Sequence, residues 1–426
     1  MLDIKFIREN PDIVKKDLEK RKDKEKLDML KDLLKIDEDY RKLLAKEQKL
    51  RHRRNELTGE INKAKKEGRD IRKLISEAKE LPEKIDSAKK KTSRVKEKID
   101  FYLMRIPNVL HESVPYGADE EGNVTIKEHG RIKKPSFELK PHGEVAVNLG
   151  GADFKQAAKV SGAGFNFLIG DLALLSQALM QFAIASLVKK GWQLVETPIM
   201  LNRKAYEGVT DLADFEDVMY KIDDEDLYLI ATSEHPICAL HMDSVFNEDE
   251  LPKKYMGFSP CFRKEIGSRG VDTKGLYRLH QFYKIEQFVF CKPEDSWKIH
   301  EELLKNAEEI FRELGLPYRV INICTGDIGI VAAKKYDIEV WLPRQQKYGE
   351  VVSCSNCTAY QAVRSNIRYQ KADDREYVHT LNSTAIATSR ALVAILENFQ
   401  DKDGSVKVPK VLRHYMYGKD RIKPEK

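Results

Sequence analysis

Residues 262–288, FRKEIGSRGVDTKGLYRLHQFYKIEQF, are the stretch of sequence that decides the predicted fold. Polar and apolar residues alternate at both ends of this stretch, and a charged, glycine-containing loop lies between them. Side chains of a strand point to opposite faces with a period of two, so the pattern predicts two antiparallel strands. One face of this hairpin would carry two arginines, two glutamates and an aromatic ring, namely Arg263, Glu265, Arg278, Phe282 and Glu286.

A strand face with this composition is poorly suited to a hydrophobic core but well suited to a charged ligand. Arginine binds phosphate oxygens through a planar fork of donors, and a carboxylate accepts hydrogen bonds from an ammonium group. We therefore expect a ligand that combines a triphosphate, a flat base and an ammonium group. The alternative is an exposed hairpin whose polar face is closed by salt bridges, because short motifs also match by chance.

The hairpin resembles motif 2 of the class II aminoacyl-tRNA synthetases, and residues 275–288, GLYRLHQFYKIEQF, resemble the form found in seryl-tRNA synthetases. Residues 231–236, ATSEHP, are similar to the serine-binding loop of that family. Residues 378–400, VHTLNSTAIATSRALVAILENFQ, are similar to its motif 3. The order and spacing match from the N-terminus through residues 408–418, VPKVLRHYMYG, so the chain is identified as a member of this family.

The resemblance implies an α+β fold in which an antiparallel class II catalytic sheet follows an N-terminal antiparallel helical coiled-coil arm. It implies an N-terminal tRNA-binding domain at residues 1–106, with the arm at about 27–102. The catalytic domain is expected at residues 107–426, beginning with a linker at 107–160. The helix and strand around residues 171–200 resemble motif 1, which implies a homodimer interface; as a plain structural element they are also expected to form core.

Composition excludes several classes of protein. A chain of 426 residues with 41% hydrophobic residues is long enough for two or three domains with substantial cores. We find no run of 18 or more apolar residues and no secretory signal in MLDIKFIRENPD, so neither a membrane span nor secretion is expected. Six scattered cysteines favour a reducing compartment over a disulfide framework. These features predict a cytoplasmic protein without a membrane partner.

The predicted arm carries the positive charge of the chain. Apolar residues recur every seven positions over residues 27–66, and in alternating steps of three and four over 71–102, which is typical of a coiled coil. Glu67-Gly68-Arg69-Asp70 is the expected turn. Residues 27–102 contain 23 lysines and arginines against 16 aspartates and glutamates, whereas the whole chain has a net charge of only +6. This pattern suits either a solvated helix pair or a surface that meets a phosphate backbone.

Beyond residue 160 the pattern favours an antiparallel α+β domain. The predicted helices lie at residues 171–190, 235–246, 296–314, 360–364 and 383–400. The predicted strands lie at residues 227–231, 254–262, 279–289, 318–323, 336–341 and 349–353. The sequence contains no Walker A loop, so nucleotide binding is expected to use side chains and not a phosphate-cradling loop.

The resemblance also implies the residues that bind ATP. Arg263 is expected at the α-phosphate and the substrate carboxylate, Phe282 against the adenine, and Arg390 over the other adenine face and the γ-phosphate. In isolation, an arginine on an apolar helix could equally snorkel or pair with an acid. The predicted catalytic residues are Arg263, Glu350 and Arg390. The predicted ATP-binding set is Arg263, Lys264, Glu265, Arg278, Leu279, Phe282, Glu350, Val351, Val352, Ser353 and Arg390.

Serine recognition requires a hydrogen bond to one hydroxyl group, so that alanine leaves buried polar groups unpaired. The resemblance implies that Glu286 binds both the ammonium and the hydroxyl of the substrate. Thr232 is also a candidate N-cap for the helix that follows it. The predicted serine-binding set is Thr232, Ser233, Glu234, Arg263, Glu286, Asn382 and Thr384. Ser383-Thr384 stands where many relatives have Gly-Ser, and the extra methyl group is expected to narrow the pocket.

The sequence contains candidate ligands for two metal ions, Mg²⁺ and zinc. Glu350 and Ser353 are implied to hold Mg²⁺, a hard cation that prefers oxygen ligands. Cys354 and Cys357 form a CxxC pair, but a second pair at matching spacing is absent from the sequence, and a lone pair is a weak zinc signal. We therefore expect ATP and Mg²⁺ but no structural zinc, and we have no functional explanation for Cys357.

The basic arm has a natural partner in RNA, since a rigid basic hairpin can contact phosphates without reading bases. By the resemblance the partner is tRNA(Ser), with tRNA(Sec) as a second candidate, alongside L-serine and ATP. The candidate arm contacts are Arg51, Arg53, Arg54, Lys63, Lys65, Lys66 and Arg72. The loop at residues 267–274 is expected to touch the acceptor stem.

The expected activity is that of a serine–tRNA ligase, which forms seryl-adenylate from serine and ATP and then charges tRNA. Two alternatives remain at this stage. One is a synthetase paralogue that charges a carrier protein, although such relatives generally lack the long arm. The other is a non-catalytic coiled-coil RNA-binding protein with a degenerate synthetase domain, which the presence of Arg263, Glu286, Glu350 and Arg390 disfavours.

Overall fold

The computed structural model describes residues 1–210, 216–265 and 275–424. The chain divides into two compact units, Met1–Pro107 and Asn108–Lys426. The prediction that falls on residues 267–274, a loop touching the acceptor stem, lies outside the described residues.

The first unit is helical. Its helices are α1 (Ile4–Glu9), α2 (Pro11–Lys20), α3 (Lys24–Lys66) and α4 (Arg72–Arg105). The carboxylate of Asp23 accepts a hydrogen bond from the Lys26 N–H at 3.0 Å and so caps α3, because the first amides of a helix lack intrahelical acceptors. Helix α4 continues through Pro82.

Helices α3 and α4 pack along each other as the predicted antiparallel hairpin. Leu33, Leu57 and Ala64 of the predicted seam are buried in α3, and Leu81, Ile85, Ala88 and Ile99 are buried in α4. Since each helix has one apolar stripe covered by the other, the pair needs no further partner to bury it. Arg53 also joins the helices, through two hydrogen bonds of 2.8 and 3.0 Å to the carboxylate of Glu77.

The second unit combines short and long elements. Its described helices are α5 (His142–Asn148), α6 (Phe154–Ser161), α7 (Gly170–Val188), α8 (Arg203–Glu207), α9 (Glu234–Leu240), α10 (Ser296–Glu313), α11 (Tyr360–Ser365) and α12 (Thr388–Asn398). Its described strands are β1 (Val124–His129), β2 (Ala152–Asp153), β3 (Phe167–Leu168), β4 (Gln193–Glu196), β5 (Met200–Leu201), β6 (Tyr228–Leu229), β7 (Val245–Phe246), β8 (Lys253–Phe262), β9 (Gln281–Cys291), β10 (Tyr318–Asn322), β11 (Lys334–Leu342), β12 (Lys347–Thr358), β13 (Arg368–Lys371), β14 (Asp374–Tyr377), β15 (His379–Ala387), β16 (Val406–Lys407) and β17 (Arg421–Ile422).

Eight of these strands form one sheet in the order β1-β10-β11-β12-β15-β9-β8-β4. All described neighbours are antiparallel except β4 and β8, which are parallel. The predicted α+β class is therefore confirmed, and β8 and β9 form the hairpin predicted from the alternation on either side of the loop.

Helices α7, α10 and α12 pack against this sheet and build the main hydrophobic core. Helix α7 is apolar and long enough to cross a membrane by length and composition, but half of that stretch is buried in the fold. Leu172, Leu175 and Leu179 have no exposed surface, so burial in the core accounts for the apolar character of this helix.

Three predicted elements differ from the structure. The helix predicted at residues 383–400 was wrong at its start, because residues 383–387 belong to β15 and the helix begins at Thr388. Ser383, Thr384, Ile386 and Ala387 pair with β9, and Ser383 also pairs with β12. This strand pairing overrides the strong helix preference of the two alanines in the segment.

The helix predicted at residues 235–246 ends at Leu240, and Val245–Phe246 instead forms β7, parallel to β13. Residues 107–160, predicted as a linker with short strands, contain helices α5 and α6 and the strand β1. Strand β1 pairs with β10 and closes one edge of the main sheet, so this segment belongs to the fold of the second unit.

Candidate active site

A cavity of about 420 Å³ lies against the main sheet, and most of the predicted site residues line it. The predicted residues that line it are Thr232, Glu234, Arg263, Glu265, Arg278, Leu279, Phe282, Glu286, Glu350, Val351, Ser353, Asn382, Thr384 and Arg390. Residues far apart in sequence therefore meet on one surface, as a binding site requires.

Strand β9 supplies the floor of the cavity. Phe282, Lys284 and Glu286 alternate along the strand and line the cavity. Gln287 points the other way, and its side-chain amide donates to the carbonyl of Leu303 on α10 at 3.2 Å. The alternation of side chains along β9 thus places the cavity-lining residues on one face of the sheet and the core-facing residues on the other.

Two bulges adjust which residues face the cavity. Between β11 and β12 the register shifts at Ile338/Glu339, which inserts an extra residue on β12 and lets both Glu350 and Ser353 line the cavity although they are three positions apart. A second shift, between Thr384 and Ile386 on β15, follows the pairing of Thr384 with Glu286.

Glu286 is held by two donors at the deep end of the cavity. Nζ of Lys284 lies 2.5 Å from Oε2 of Glu286, and the hydroxyl of Thr384 donates to the same oxygen at 3.2 Å. The Lys284 and Glu286 side chains are only 7% and 2% exposed. Within the described part of the chain, no residue donates to Oε1 of Glu286, so this oxygen remains available to a ligand.

Glu234 is the second carboxylate of this region. Its Oε1 accepts hydrogen bonds from the side-chain amides of Gln361 at 2.7 Å and Asn382 at 3.1 Å. Burial, followed by the negative charge of Glu286, raises the pKa of Glu234 to about 7. Two nearby carboxylates are suited to a cationic ligand that also offers a hydroxyl group.

Arg390 and Glu350 form a pair at the other end. Nη1 of Arg390 lies 2.9 Å from both the carboxylate Oε1 and the backbone carbonyl of Glu350. Burial favours the neutral forms of both groups, but it is outweighed: the charge of Glu350 raises the pKa of Arg390, and the charges of Arg390, Lys335 and Arg263 lower the pKa of Glu350. The guanidinium also lies 5.4 Å from the ring centre of Tyr277.

Arg263 and Phe282 form the wall between these two ends. The guanidinium carbon of Arg263 lies 5.4 Å from the ring centre of Phe282, and its Nε donates to the carbonyl of Ala231 at 3.4 Å. At the mouth, Arg278 donates to Glu265 at 3.2 Å. The site therefore combines arginines, an aromatic ring and carboxylates on the lining of one cavity.

Strand β11 brings a group that the sequence analysis did not predict. Lys335 lines the cavity, and its Nζ lies 3.5 Å from Oδ2 of Asp337. Asp337 is buried opposite Ser353, and burial followed by the charge of Glu350 raises its pKa. Its Oδ1 has no hydrogen-bond partner among the residues that the structure describes. A buried carboxylate oxygen without a donor is costly, so this corner is suited to an additional cation.

Three predicted residues do not line the cavity. Ser233 is fully buried and donates to the carbonyl of Gly257 at 3.3 Å, and Val352 belongs to the main hydrophobic core. Lys264 lies outside the lining, and its backbone N–H donates to the carbonyl of Val218. The side chains of Ser233 and Val352 thus stabilise the elements that carry the site.

Several lining residues were missed, including Lys284, Lys335, Gln361, Tyr277 and Cys357. The alternation of β9 gave a signal for Lys284, because it lies between Phe282 and Glu286 on the same face. Lys335 and Gln361 gave none, because their position depends on strand pairing and helix packing over long sequence distances.

The CxxC pair is divided between two environments. Cys354 belongs to the main core, whereas Cys357 lines the cavity and accepts a hydrogen bond from the Asn382 amide at 3.6 Å. Burial raises the pKa of both thiols, which disfavours the thiolate that binds zinc. Over the described ranges, no group of three or more histidine, cysteine or acidic side chains is arranged to hold a metal ion.

The arm residues predicted to bind RNA fall into two groups. Arg51, Arg53 and Arg72 are held by carboxylates of the arm itself: Glu47, Glu60 and Glu77, and Asp70. The remaining residues are exposed and form no salt bridge with any described residue: Arg54, Lys63, Lys65 and Lys66. The second group is therefore the one available to a phosphate backbone.

Comparison with known proteins places both units in one family. The description "Seryl-tRNA synthetase N-terminal domain" matches residues 1–110, and "tRNA synthetase class II core domain (G, H, P, S and T)" matches residues 218–399. The serine–tRNA ligase of Methanocella arvoryzae is 60% identical over 421 residues, covering 98% of this chain and 99% of that protein. The chain belongs to the seryl-tRNA synthetase family.

Solved structures agree with this family assignment. The seryl-tRNA synthetase of Pyrococcus horikoshii, complexed with ATP, matches with a TM-score of 0.93 and 48% identity over the full length of both chains. The cytoplasmic serine–tRNA ligase of Naegleria fowleri, in complex with AMP, matches with a TM-score of 0.88 and 34% identity, covering 100% of this chain and 99% of that one.

The predicted family, fold and enzyme class are confirmed by these matches. The chain is an aminoacyl-tRNA ligase with a class II core and a helical N-terminal arm. The two alternatives, a carrier-protein paralogue and a non-catalytic RNA-binding protein, have no support among the comparisons.

The raised pKa of Glu234 predicts how stability depends on pH. The ordinary pKa is 4.5 and the folded value is about 7, so between these values the unfolded chain releases a proton that the folded chain retains. The free energy of unfolding should therefore fall as pH rises from 5 to 7, by at most about 1.4 kcal/mol per pH unit.

Glu234→Gln removes this titration while keeping the shape of the side chain. Urea unfolding of the wild type and of Glu234→Gln at pH 5 and 7 measures the effect. We expect the variant to gain stability relative to the wild type by about 2–3 kcal/mol between pH 5 and 7. An equal difference at both pH values would contradict the raised pKa.

Proposed function

We propose that the cavity forms seryl-adenylate and pyrophosphate from L-serine and ATP, and then transfers serine to the 3′ end of tRNA(Ser), with tRNA(Sec) as a second substrate. The observation that carries this proposal is the arrangement of charge. The carboxylates of Glu286 and Glu234, the guanidinium groups of Arg263 and Arg390 and the ring of Phe282 line a single cavity. Burial acts to raise the pKa of both Glu234 and Glu350 and the positive charge of Arg263 acts to lower the pKa of both, so Arg263 acts on both carboxylates.

Adenylate formation brings two anions together. A carboxylate oxygen of serine attacks the α-phosphorus, the bond from that phosphorus to the bridging oxygen breaks, and pyrophosphate leaves with the electron pair. No proton transfer is needed, so alignment and positive charge near the phosphates provide most of the catalysis. Arginines suit this task because their donors form a rigid fork.

ATP would lie across the wall formed by Arg263 and Phe282. In this arrangement Arg263 contacts the α-phosphate, Phe282 stacks against the adenine, and Arg390 contacts the outer phosphates. Arg278 and Glu265 lie at the mouth, where their ion pair of 3.2 Å can open to admit the nucleotide. All five of these residues line the same cavity, which supports this placement of ATP.

The residues around Glu350 fit the expected Mg²⁺. Glu350 and Ser353 offer oxygen ligands on one surface, and the buried Oδ1 of Asp337 beside Ser353 has no partner in the described part of the chain. A hard cation prefers such oxygens and would offset the charge of these carboxylates. When bound with ATP, it would neutralise phosphate charge and orient the leaving pyrophosphate.

Serine would bind at the deep end, where Glu286 Oε1 is available. Glu286 would accept hydrogen bonds from both the ammonium and the hydroxyl group of the substrate, and Thr384 and Thr232 would supply further oxygens. The side-chain amides of Gln361 and Asn382 both donate to Oε1 of Glu234 and hold this carboxylate beside the serine site. Alanine would leave these buried polar groups without the hydroxyl, which is the physical basis of selectivity.

The arm and the second unit suggest two partners. The exposed, unpaired lysines of α3 would contact phosphates of the tRNA, as electrostatic binding requires. Around residues 171–200, Val188, Leu194, Ile199 and Met200 are exposed apolar side chains, which supports a homodimer interface there. Function in translation is consistent with a cytoplasmic location.

Replacing Arg390 with lysine tests the activation site. Lysine keeps the charge but loses the fork that pairs with Glu350 and contacts phosphates. We expect serine-dependent ATP–pyrophosphate exchange to fall by about 10²- to 10³-fold. Arg368→Lys is the matched control, because Arg368 lies on β13 outside the cavity and should retain wild-type exchange. Equal exchange by both variants would contradict the role of Arg390.

The arm makes a second, independent prediction. The combined change Lys63→Gln, Lys65→Gln and Lys66→Gln removes three exposed charges without salt-bridge partners. We expect weaker tRNA binding and a shallower dependence of log affinity on log salt, by about 2 to 3 in slope. Filter-binding measurements of the tRNA dissociation constant at salt concentrations from about 50 to 200 mM give this slope.

A control with the same charge change uses lysines that are paired with acids of their own helix. Lys84, Lys90 and Lys96 are paired with Glu80, Asp86 and Asp100 on α4. Their combined change to glutamine should leave the salt slope nearly unchanged. If both triple variants changed the slope equally, the contact would not be localised to the end of α3.

A further inference from the structure

Lys284 lines the deep end of the cavity, and its ion pair with Glu286 uses only part of its hydrogen-bonding capacity. An ammonium group carries three donors, yet the described residues give Lys284 one partner, Oε2 of Glu286 at 2.5 Å. The side chain is 7% exposed, so bulk water has little access to its remaining donors. A buried ammonium with unused donors that faces a ligand cavity is suited to an anionic ligand group.

The neighbouring carboxylate defines where that anionic group would lie. Oε1 of Glu286 is available to a ligand ammonium, while Oε2 is occupied by Lys284 and Thr384. In an α-amino acid the carboxylate is attached to the carbon that bears the ammonium group. A ligand whose ammonium binds Oε1 therefore brings its carboxylate beside the Lys284–Glu286 pair.

Resting on the proposed function of this cavity, we propose that Lys284 donates a hydrogen bond directly to the carboxylate of serine and so acts as a second cation beside Arg263. Arg263 lies toward the α-phosphate and Lys284 toward the amino acid, so the two cations contact the carboxylate from different sides. Lys284 keeps its contact with Glu286, because its other donors serve the substrate.

The role in the reaction follows from charge. Two anions approach as the serine carboxylate oxygen forms its bond to the α-phosphorus and the bond to the pyrophosphate oxygen breaks. A cation on the other carboxylate oxygen holds the attacking oxygen in line and reduces repulsion. No proton moves in this step.

The alternative is that Lys284 only orients Glu286 and never contacts substrate. Serinol separates the two possibilities, because it has the ammonium and hydroxyl groups of serine but no carboxylate. We would measure dissociation constants of L-serine and serinol by calorimetry for the wild type, Lys284→Met and Lys284→Arg. Lys284→Arg retains the positive charge beside Glu286 and guards against a misfolded methionine variant.

We expect Lys284→Met to weaken serine binding by about 10- to 100-fold while serinol binding changes less than threefold. Lys284→Arg should recover part of the serine affinity. Equal weakening of both ligands would overturn the proposal and assign Lys284 an orienting role only. Unchanged binding of serine would overturn it as well.

Two further variants separate this proposal from the proposed serine site. Glu286→Gln should weaken both ligands, since both carry the ammonium group; if neither weakens, the proposed serine site itself is wrong. Lys254→Met is the matched control, because Lys254 pairs with Glu302 at 2.7 Å on the adjacent strand β8 and does not line the cavity. It should bind both ligands as the wild type does.

Discussion

A charged side chain that is buried away from water is stable only when an opposite charge or hydrogen bonds compensate it, and the structure of the cavity depends on this constraint. Lys284 and Glu286 lie two residues apart on one strand face and neutralise each other at 2.5 Å, with Thr384 as a further donor to Glu286. Removing one partner of such a pair leaves an uncompensated buried charge, which costs far more than the pair contributes. Lys284 therefore stabilises the buried charge of Glu286.

The sheet supplies the geometry that this matching requires. Alternation on β9 directs Phe282, Lys284 and Glu286 to the cavity, while Gln287 reaches the carbonyl of Leu303 on the opposite side. The bulge on β12 lets Glu350 join Ser353 on the cavity face. Rigid strands fix these side chains better than loops would, and such preorganisation is what alignment of two anions demands.

Much of this arrangement was predictable because it depends on local periodicity. The alternation of the β8–β9 hairpin and the heptad repeat of the arm each follow from side-chain spacing within one element. The strand at residues 383–387 was not predictable from propensity, since its conformation is set by pairing with β9 and, at Ser383, with β12. Lys335 and Gln361 likewise line the cavity through strand pairing and helix packing across long sequence distances. Nothing in the sequence indicated that Arg53, a predicted RNA contact, donates two hydrogen bonds to Glu77, which leaves its guanidinium less available to a phosphate.

The proposed site combines, in one cavity, the carboxylates expected to select serine and the arginines expected to bind the nucleotide. The most direct test is amino-acid-dependent ATP–pyrophosphate exchange by the wild-type protein with serine, alanine and threonine compared as substrates. We expect kcat/KM for serine to exceed that for alanine by about 10⁴-fold, because alanine leaves the partners of the hydroxyl unpaired. Threonine should also be a poor substrate, because its additional methyl group would have to fit beside the side chain of Thr384, which lines the cavity. Comparable exchange with alanine, or no exchange with serine, would contradict the proposal that this cavity selectively activates serine.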